Sequence, residues 1–466
     1  MAVAAPEQLE RTDPDELSRL VADARRAQLA WRDVSAGDRA RVLRAAARVL
    51  RARAGEIVAT IVAETGKPRT EAIAHDLFAA VDHARWLAAN VPRLLRDERI
   101  RFPQLHLRLK RAWQVYEPIG VVGVISPWNV PLGIPFTSVA TAVCTGNGVV
   151  LKPSELTPAS GEWIRRVLEE AGAPAGLVQI AHGEGPVGEA LVGDPGIDKV
   201  FFTGSVRVGR LVAAAAGARG CPVVLELGGR DPLLVFADAD LERAVEGALY
   251  ASFLNAGQAC VSAERIYVER PVHDEFAGRL RLRAAELEIG PPIAPARVEP
   301  WQPTVLTHAL PDEEIFGPVV TVEPFEDEDD AVRLANGTRF GLAASVWTRD
   351  AAKARRVARQ IEAGTVWVND FGYTFTTGQA AWGGVKASGF GRTSGRHGLY
   401  ECVNVKFVDA DAGRLRPPWW FPYDEVTERG LQATLDVIYG EGLERARAAW
   451  RHRRELAHVV RRALNR

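Results

Sequence analysis

Between about residue 119 and residue 229 the chain repeats one texture: a short apolar run, a turn rich in Gly and Pro, then a helical stretch. The runs are GVVGVIS, GNGVVLKP, GLVQIAHG, KVFFTGS and PVVLELGG. Apolar runs alternating with helices indicate parallel strands covered on both faces, and so a doubly wound α/β domain. After Cys260 the pattern resumes with RIYVE, VVTVEPFE, AASVWTR and GTVWVND, which predicts a second α/β domain. The flanks differ. Residues 14 to 98 read as successive helices, with apolar positions three and four apart. LHLRLKRAWQVYEP then alternates Leu105, Leu107 and Leu109 with polar residues, as a strand with one exposed face would. The last fifty-odd residues combine the Pro/aromatic RLRPPWWFPYDE with helix-like EVTERGLQATLDVIYG and Arg-rich LERARAAWRHRRELAHVVRRALNR.

A length of 466 residues fits two or three domains. The net charge of −1 argues against a broad nucleic-acid footprint, which needs a basic excess. The N-terminus turns acidic too early for a secretory segment, and no apolar stretch reaches the length of a membrane span. Cys144, Cys221, Cys260 and Cys402 are scattered without a CxxC pair. That spacing suits neither a disulfide framework nor a zinc site, so no metal is expected, and it fits a reducing cytoplasm.

Cys260 ends the turn NAGQAC and precedes a strand-like pattern. A buried, apolar cysteine and a nucleophile activated by backbone N–H groups are both consistent with that position. Glu226 lies between Leu225 and Leu227, near the end of an apolar run. Desolvation there would raise its pKa toward that of a general base, although a strand-end glutamate can equally reach solvent. Asn129 follows another run in VISPWNVPLG. It is either a turn residue or an amide donor at the carboxyl end of a strand, where open α/β sheets bind ligands. Lys152 ends VVLKPSE in a chain with seven lysines against fifty-one arginines, and Glu155 follows it. An ammonium and a carboxylate there suit a phosphate and ribose hydroxyls. VFFTGSVRVGR places Gly204, Ser205 and Gly209 at a helix start that can cradle a phosphate, without forming GxGxxG. PDEEIFGPVV, read alone, is a turn ahead of a strand.

In chain order these segments are PWN, KPSE, FTGS, LELGG, GQAC, EEIFGP and WGGVKASGFGR. The series resembles the aldehyde dehydrogenase superfamily over about residues 15 to 410, with Glu226 and Cys260 at the family's usual spacing of 34 residues. The resemblance implies a Rossmann-like NAD-binding domain (1–103 and 118–228) and a catalytic α/β domain (229–399). It also implies a small β oligomerisation arm (104–117 and 400–411), with a helical extension (412–466) outside it. By similarity Cys260 would attack an aldehyde to give a thiohemiacetal, and Asn129 with the Cys260 N–H would hold the oxyanion. Hydride transfer to the nicotinamide would leave a thioester, and Glu226 would activate the water that hydrolyses it. Lys152 and Glu155 would hold the adenosine ribose, a carboxylate there favouring NAD over NADP. Ile125, Ser126, Pro127, Trp128, Gly185, Phe202, Gly204, Ser205, Val208, Gly209, Leu227 and Gly228 would line the cofactor channel, with Glu314 and Phe316 at the nicotinamide ribose and ring.

Three departures from the family pattern stand out. Arg230 replaces the lysine after LELGG, which keeps the charge. Thr393 replaces a glutamate that some members use as a second proton carrier. The interval from Cys260 to Glu314 is several dozen residues shorter than usual, so the expectation is an intact core with a trimmed surface and a more open substrate mouth or altered subunit packing. FGYTFTTG points to an aromatic, uncharged substrate lining and so to aromatic or aliphatic aldehydes. A homodimer or homotetramer is expected. The last helix places Leu443, Ala446, Trp450, Ala457, Val460 and Leu464 among arginines, and packing on protein is favoured over a membrane surface. CoA-acylating oxidation of a semialdehyde and a catalytically silent nucleotide-binding paralogue are the competing functions. Retention of Glu226 opposes the first, and retention of Cys260, Glu226 and Asn129 together opposes the second.

Overall fold

The computed structural model describes residues 11–104, 107, 110–288, 290, 302–372, 377–411 and 416–464. Leu105 and Leu109, residues 291–301 of the shortened interval and residues 373–376 of FGYTFTTG lie outside them. The chain divides into two compact units, one up to Leu94 and over Pro118–Asn404, the other Leu95–Glu117 and from Val405 onward.

The larger unit holds two six-stranded sheets. In the first the order is Gly389–Phe390, Val223–Glu226, Lys199–Thr203, Val121–Ile125, Gly148–Lys152, Val178–Ile180. All neighbours are parallel except the edge strand Gly389–Phe390. Val121–Ile125 and Gly148–Lys152 are buried along their whole length, as strands with helices on both faces must be. The chain runs outward from Val121–Ile125 to Val178–Ile180, then returns to add Lys199–Thr203 on the other side. The carboxyl ends of Val121–Ile125 and Lys199–Thr203 therefore flank the point where strand order reverses, the usual crevice for a ligand in such sheets.

The second sheet is parallel throughout, in the order Thr304–Leu306, Val319–Phe325, Ala263–Glu269, Asp231–Val235, Ala343–Trp347, Thr365–Val368. Two of its strands, Asp231–Val235 and Thr304–Leu306, were not legible as strands. Asp231-Pro232 interrupts the apolar run of the first, and the second is three residues long. The second sheet thus begins before Cys260. Around both sheets the helices follow sequence rules. Pro14–Trp31 starts with Asp13 accepting from the Glu16 N–H at 2.7 Å, has Pro at N1 and buries Leu17, Val21, Ala24, Gln28 and Trp31 along one stripe. Between Arg69 and Leu94 the helix contains one π-turn, Ala72–Leu77, in which the Phe78 N–H reaches the Ile73 carbonyl. That turn makes His75, Asp76 and Leu77 buried in succession, which 3.6-residue periodicity does not anticipate.

In the smaller unit Glu98–Ile100 pairs antiparallel with Arg111–Pro118, which neighbours Val403–Ala410. The strand begins only at Arg111, and Leu107 sits in a helical turn before it rather than in the alternation read from LHLRLKRAW. The Arg-rich tail is two helices, Gly442–Arg451 and Arg453–Ala463, separated by a non-helical His452. The single apolar stripe read across 443–464 is broken there. The second of these helices packs on Glu425–Tyr439, where a Cβ on Gly430 would lie 2.5 Å from Val459. No helix among the described residues is long and apolar enough to cross a membrane.

Candidate active site

Cys260, Glu226 and Asn129 line one narrow cavity of about 60 Å³, room for about two waters. Cys260 is partly exposed, whereas Cys144, Cys221 and Cys402 are buried. The turn that presents it is strained. Asn255 and Ala256 are left-handed at φ 51° and 57°, and Gly257 follows at 73°. A Cβ on Gly257 would stand 2.2 Å from the Gly317 carbonyl, so only glycine fits. The Glu71 carboxylate accepts the Asn255 N–H at 3.1 Å and ties the turn to the π-turn helix. Burial pushes the Cys260 thiol above its ordinary range, with the Asp231, Glu314 and Glu226 carboxylates adding to the shift.

Glu226 ends the strand Val223–Glu226 and is buried, not partly desolvated. Burial raises its carboxyl to about 8, against a weaker opposing pull from Arg392 and the Trp382 indole. Among the described residues, neither carboxylate oxygen makes a hydrogen bond of good geometry. Asn129 is buried in the turn that follows Val121–Ile125. Its amide nitrogen donates to the Gln258 carbonyl at 3.1 Å. An amide carries two N–H groups, so the second can serve an oxygen bound beside Cys260. The main-chain carbonyl of Asn129 accepts from Lys67 Nζ at 2.6 Å and from Asn255 Nδ2 at 3.4 Å.

The remaining expected residues fall at the carboxyl ends of the first sheet or against them. Ile125 ends its strand, the Ser126 hydroxyl is buried without a partner among the described residues, and the Trp128 ring meets Phe316 edge-on at 6.1 Å. Pro127 lies between Ser126 and Trp128. Lys152 is buried, donates to the Pro153 carbonyl at 2.8 Å and stands 3.7 Å from the half-exposed Glu155. Ser205 caps Val206–Ala218 by accepting from the Val208 N–H at 3.3 Å. A Cβ on Gly209 would meet Leu227 at 2.4 Å, and one on Gly204 the Phe202 ring at 2.7 Å, so helix and strand end approach closely. Gly185 opens its helix with nothing within 4 Å of a Cβ position. Glu314 accepts the Gly229 N–H at 3.1 Å and would meet a Cβ on Gly228 at 2.2 Å. Burial raises its carboxyl to about 7.

Several further residues build the site. Glu264 accepts the N–H groups of Ile315 and Phe316 at 2.9 and 3.1 Å, and Arg230 approaches it to 3.8 Å. Phe316 itself is left-handed at φ 52°. His75 and Trp382 line the cavity with Cys260, as does Thr393. Asp76 accepts the Leu132 and Gly133 N–H groups at 2.9 and 3.1 Å and pairs with Lys67 at 3.1 Å. The scarcity of lysine that marks Lys152 would have marked Lys67 equally; His75 and Asp76 carried no comparable signal.

The Aldehyde dehydrogenase family model matches residues 6–301 and 297–408, two segments that meet inside the interval read as shortened. Betaine aldehyde dehydrogenase 2 of Rhizobium meliloti is 38% identical over 435 residues, which cover 84% of this chain and 89% of the relative. A 4,4'-diapolycopene aldehyde oxidase from Methylomonas is 36% identical, covering 90% of this chain and 86% of that protein. The crystal structure of betaine aldehyde dehydrogenase from Staphylococcus aureus in complex with NAD+ superposes with a TM-score of 0.83 at 32% identity, covering 89% of this chain and 91% of that one. An NAD+ complex of an aldehyde dehydrogenase from Bacillus cereus gives 0.81 at 30% identity, over 86% and 90%. The chain belongs to the aldehyde dehydrogenase family, oxidoreductases that act on aldehydes.

Proposed function

We propose that the protein oxidises an uncharged aldehyde to its carboxylic acid with NAD, carrying the substrate on Cys260. The observation that supports this most is the convergence of a thiol, a buried carboxyl and an amide on one narrow cavity. The strand ends fit a dinucleotide: the buried, unpartnered Ser126 hydroxyl, the Lys152–Glu155 pair and a capped helix start held close by Gly209 all lie there. Ser126, Lys152, Glu155, Ser205, Glu314 and Phe316 would hold NAD, with Glu155 selecting a 2′-hydroxyl. When bound, NAD supplies the hydride acceptor that takes the substrate from the aldehyde to the acyl oxidation level. The chain's own groups do the rest. Cys260 Sγ gives its proton to solvent water and bonds to the carbonyl carbon, the C=O π pair moving onto the oxygen, which Asn129 and the Cys260 N–H receive. In the second half Glu226 takes a proton from water as that water's oxygen attacks the acyl carbon; the C–S bond then breaks and the carboxylate leaves.

No lysine or arginine lines the cavity among the described residues, which favours an uncharged aldehyde over a semialdehyde acid. In the smaller unit the strand Val403–Ala410 leaves Val405 and Phe407 more than half exposed, which supports self-association through that strand. NADH formation over a panel of aliphatic, aromatic and quaternary-ammonium aldehydes, with and without CoA, tests the reading. Acid should form without CoA, and kcat/KM should be highest for uncharged members. An absolute CoA requirement would favour acylation, and saturable NAD binding without any turnover would remove the catalytic reading.

A further inference from the structure

The oxyanion amide does not hold itself in place. Lys67 and Asp76 are 4% and 0% exposed, and neither lines the cavity. Taking two charges out of water costs more than their attraction returns unless their remaining donors and acceptors are also used. Here they are used, and nearly all on one loop. Lys67 Nζ donates to the main-chain carbonyl of Asn129 at 2.6 Å and to Asp76 at 3.1 Å. The other Asp76 oxygen accepts the Leu132 and Gly133 N–H groups at 2.9 and 3.1 Å. The pair therefore clamps residues 129 to 133 at both ends. The π-turn Ala72–Leu77 turns Asp76 inward to reach it, and Gly133 admits the close approach, since a Cβ there would lie 2.7 Å from the His75 carbonyl.

We propose that Lys67 and Asp76 are positioning residues for the reaction, a buried ion pair whose role is to fix the backbone of residues 129 to 133 from which the Asn129 side chain projects. The inference rests on Asn129 serving as the oxyanion donor, and the test separates the two. In the full-length protein, kcat and both KM values are measured for Asn129→Ala, Lys67→Met, Asp76→Asn and the double variant K67M/N129A. Asn129→Ala should lower kcat by about 100-fold. Lys67→Met should lower kcat by about 10- to 100-fold with the KM for NAD unchanged. The double variant should be no slower than Asn129→Ala alone, because a residue acting through a missing partner has nothing left to lose. An unchanged kcat in Asn129→Ala defeats the donor assignment itself. A drop there combined with multiplying effects in the double variant overturns the positioning role alone. Asp76→Asn keeps the shape and an oxygen for the two N–H groups, so it guards against misfolding and should also lose about 10-fold in kcat. If neither Lys67→Met nor Asp76→Asn folds, the pair serves stability and the inference is overturned.

Discussion

The two sides of the cavity around Cys260, Glu226 and Asn129 differ in where they hold unfavourable energy. On the side of the first sheet, Asn129 and Glu226 sit in or beside turns whose non-glycine residues have ordinary backbone angles, and the unfavourable terms are electrostatic: a buried carboxyl raised to about 8 and a buried Lys67–Asp76 pair. On the Cys260 side the unfavourable term is conformational, with Asn255 and Ala256 left-handed in succession. Each such residue costs roughly 1–2 kcal/mol relative to a helical or extended one. A carboxyl must have its proton affinity tuned, which requires burial. A thiol must be presented at one point of a cavity, which requires a bend the backbone would not otherwise adopt.

Removing the thiol gives the largest effect. Cys260→Ala should abolish steady-state NADH formation while thermal unfolding shifts little, because the strain lies in Asn255–Gly257 and not in the sulfur. Residual turnover above background would mean that the bend serves something else. Next is Glu226→Gln, which acts on the electrostatic side. A first burst of NADH should remain, and the steady-state rate should fall by about 10²- to 10⁴-fold. In the native protein that rate should rise through about pH 8 as Glu226 loses its proton, and the variant should lack the rise. An unchanged steady state refutes the assigned base. Stability carries the same signature. Between about 4.5, the ordinary value, and about 8 the folded chain keeps a proton that the unfolded chain has lost. Stability therefore falls as pH rises across that window. Glutamine has no such slope, so the variant should be more stable than the native protein at pH 8.5, by a few kcal/mol at most, and not at pH 4. Equal pH dependence of urea unfolding in the two proteins would show that Glu226 is not held protonated.

The contrast also explains what could be read from the sequence. Most strands of the two sheets were legible because they are apolar runs between turns, Asp231–Val235 and Thr304–Leu306 being the exceptions in the second sheet, and the glycines at 209, 228 and 257 sit where a side chain would strike Leu227, Glu314 or Gly317. Cys260, Glu226 and Asn129, which line one cavity, were singled out through the order of their motifs. What stayed hidden depends on distance in space. Lys67 and Asp76 lie on a helical segment whose π-turn breaks the periodicity, and their partners are some sixty residues away. Glu264, one strand residue among many, becomes significant only because the loop at Ile315–Phe316 folds over it. Ala256 carries no mark of its left-handed angle, since alanine is the residue least expected there.

The backbone side can be tested in both directions. Gly257→Ala drives a methyl group into the Gly317 carbonyl at a φ of 73°, and should cost about 2–4 kcal/mol in urea unfolding and displace the thiol, lowering kcat. Ala256→Gly works the other way and is the smallest effect. Relief of a left-handed alanine returns roughly 1–2 kcal/mol, and the greater freedom of glycine in the unfolded chain removes about 0.5–1 kcal/mol of that. A net gain of about 0.5 kcal/mol in stability should result, because no side chain beyond Cβ is lost. The rate separates two kinds of strain. If the neighbours that grip this turn, Glu71 at the Asn255 N–H and Gly317 against Gly257, hold its shape without help from residue 256, kcat is unchanged. A gain in stability with a fall in kcat would show instead that the alanine itself limits the turn's excursions, and that backbone strain at Cys260 is maintained residue by residue.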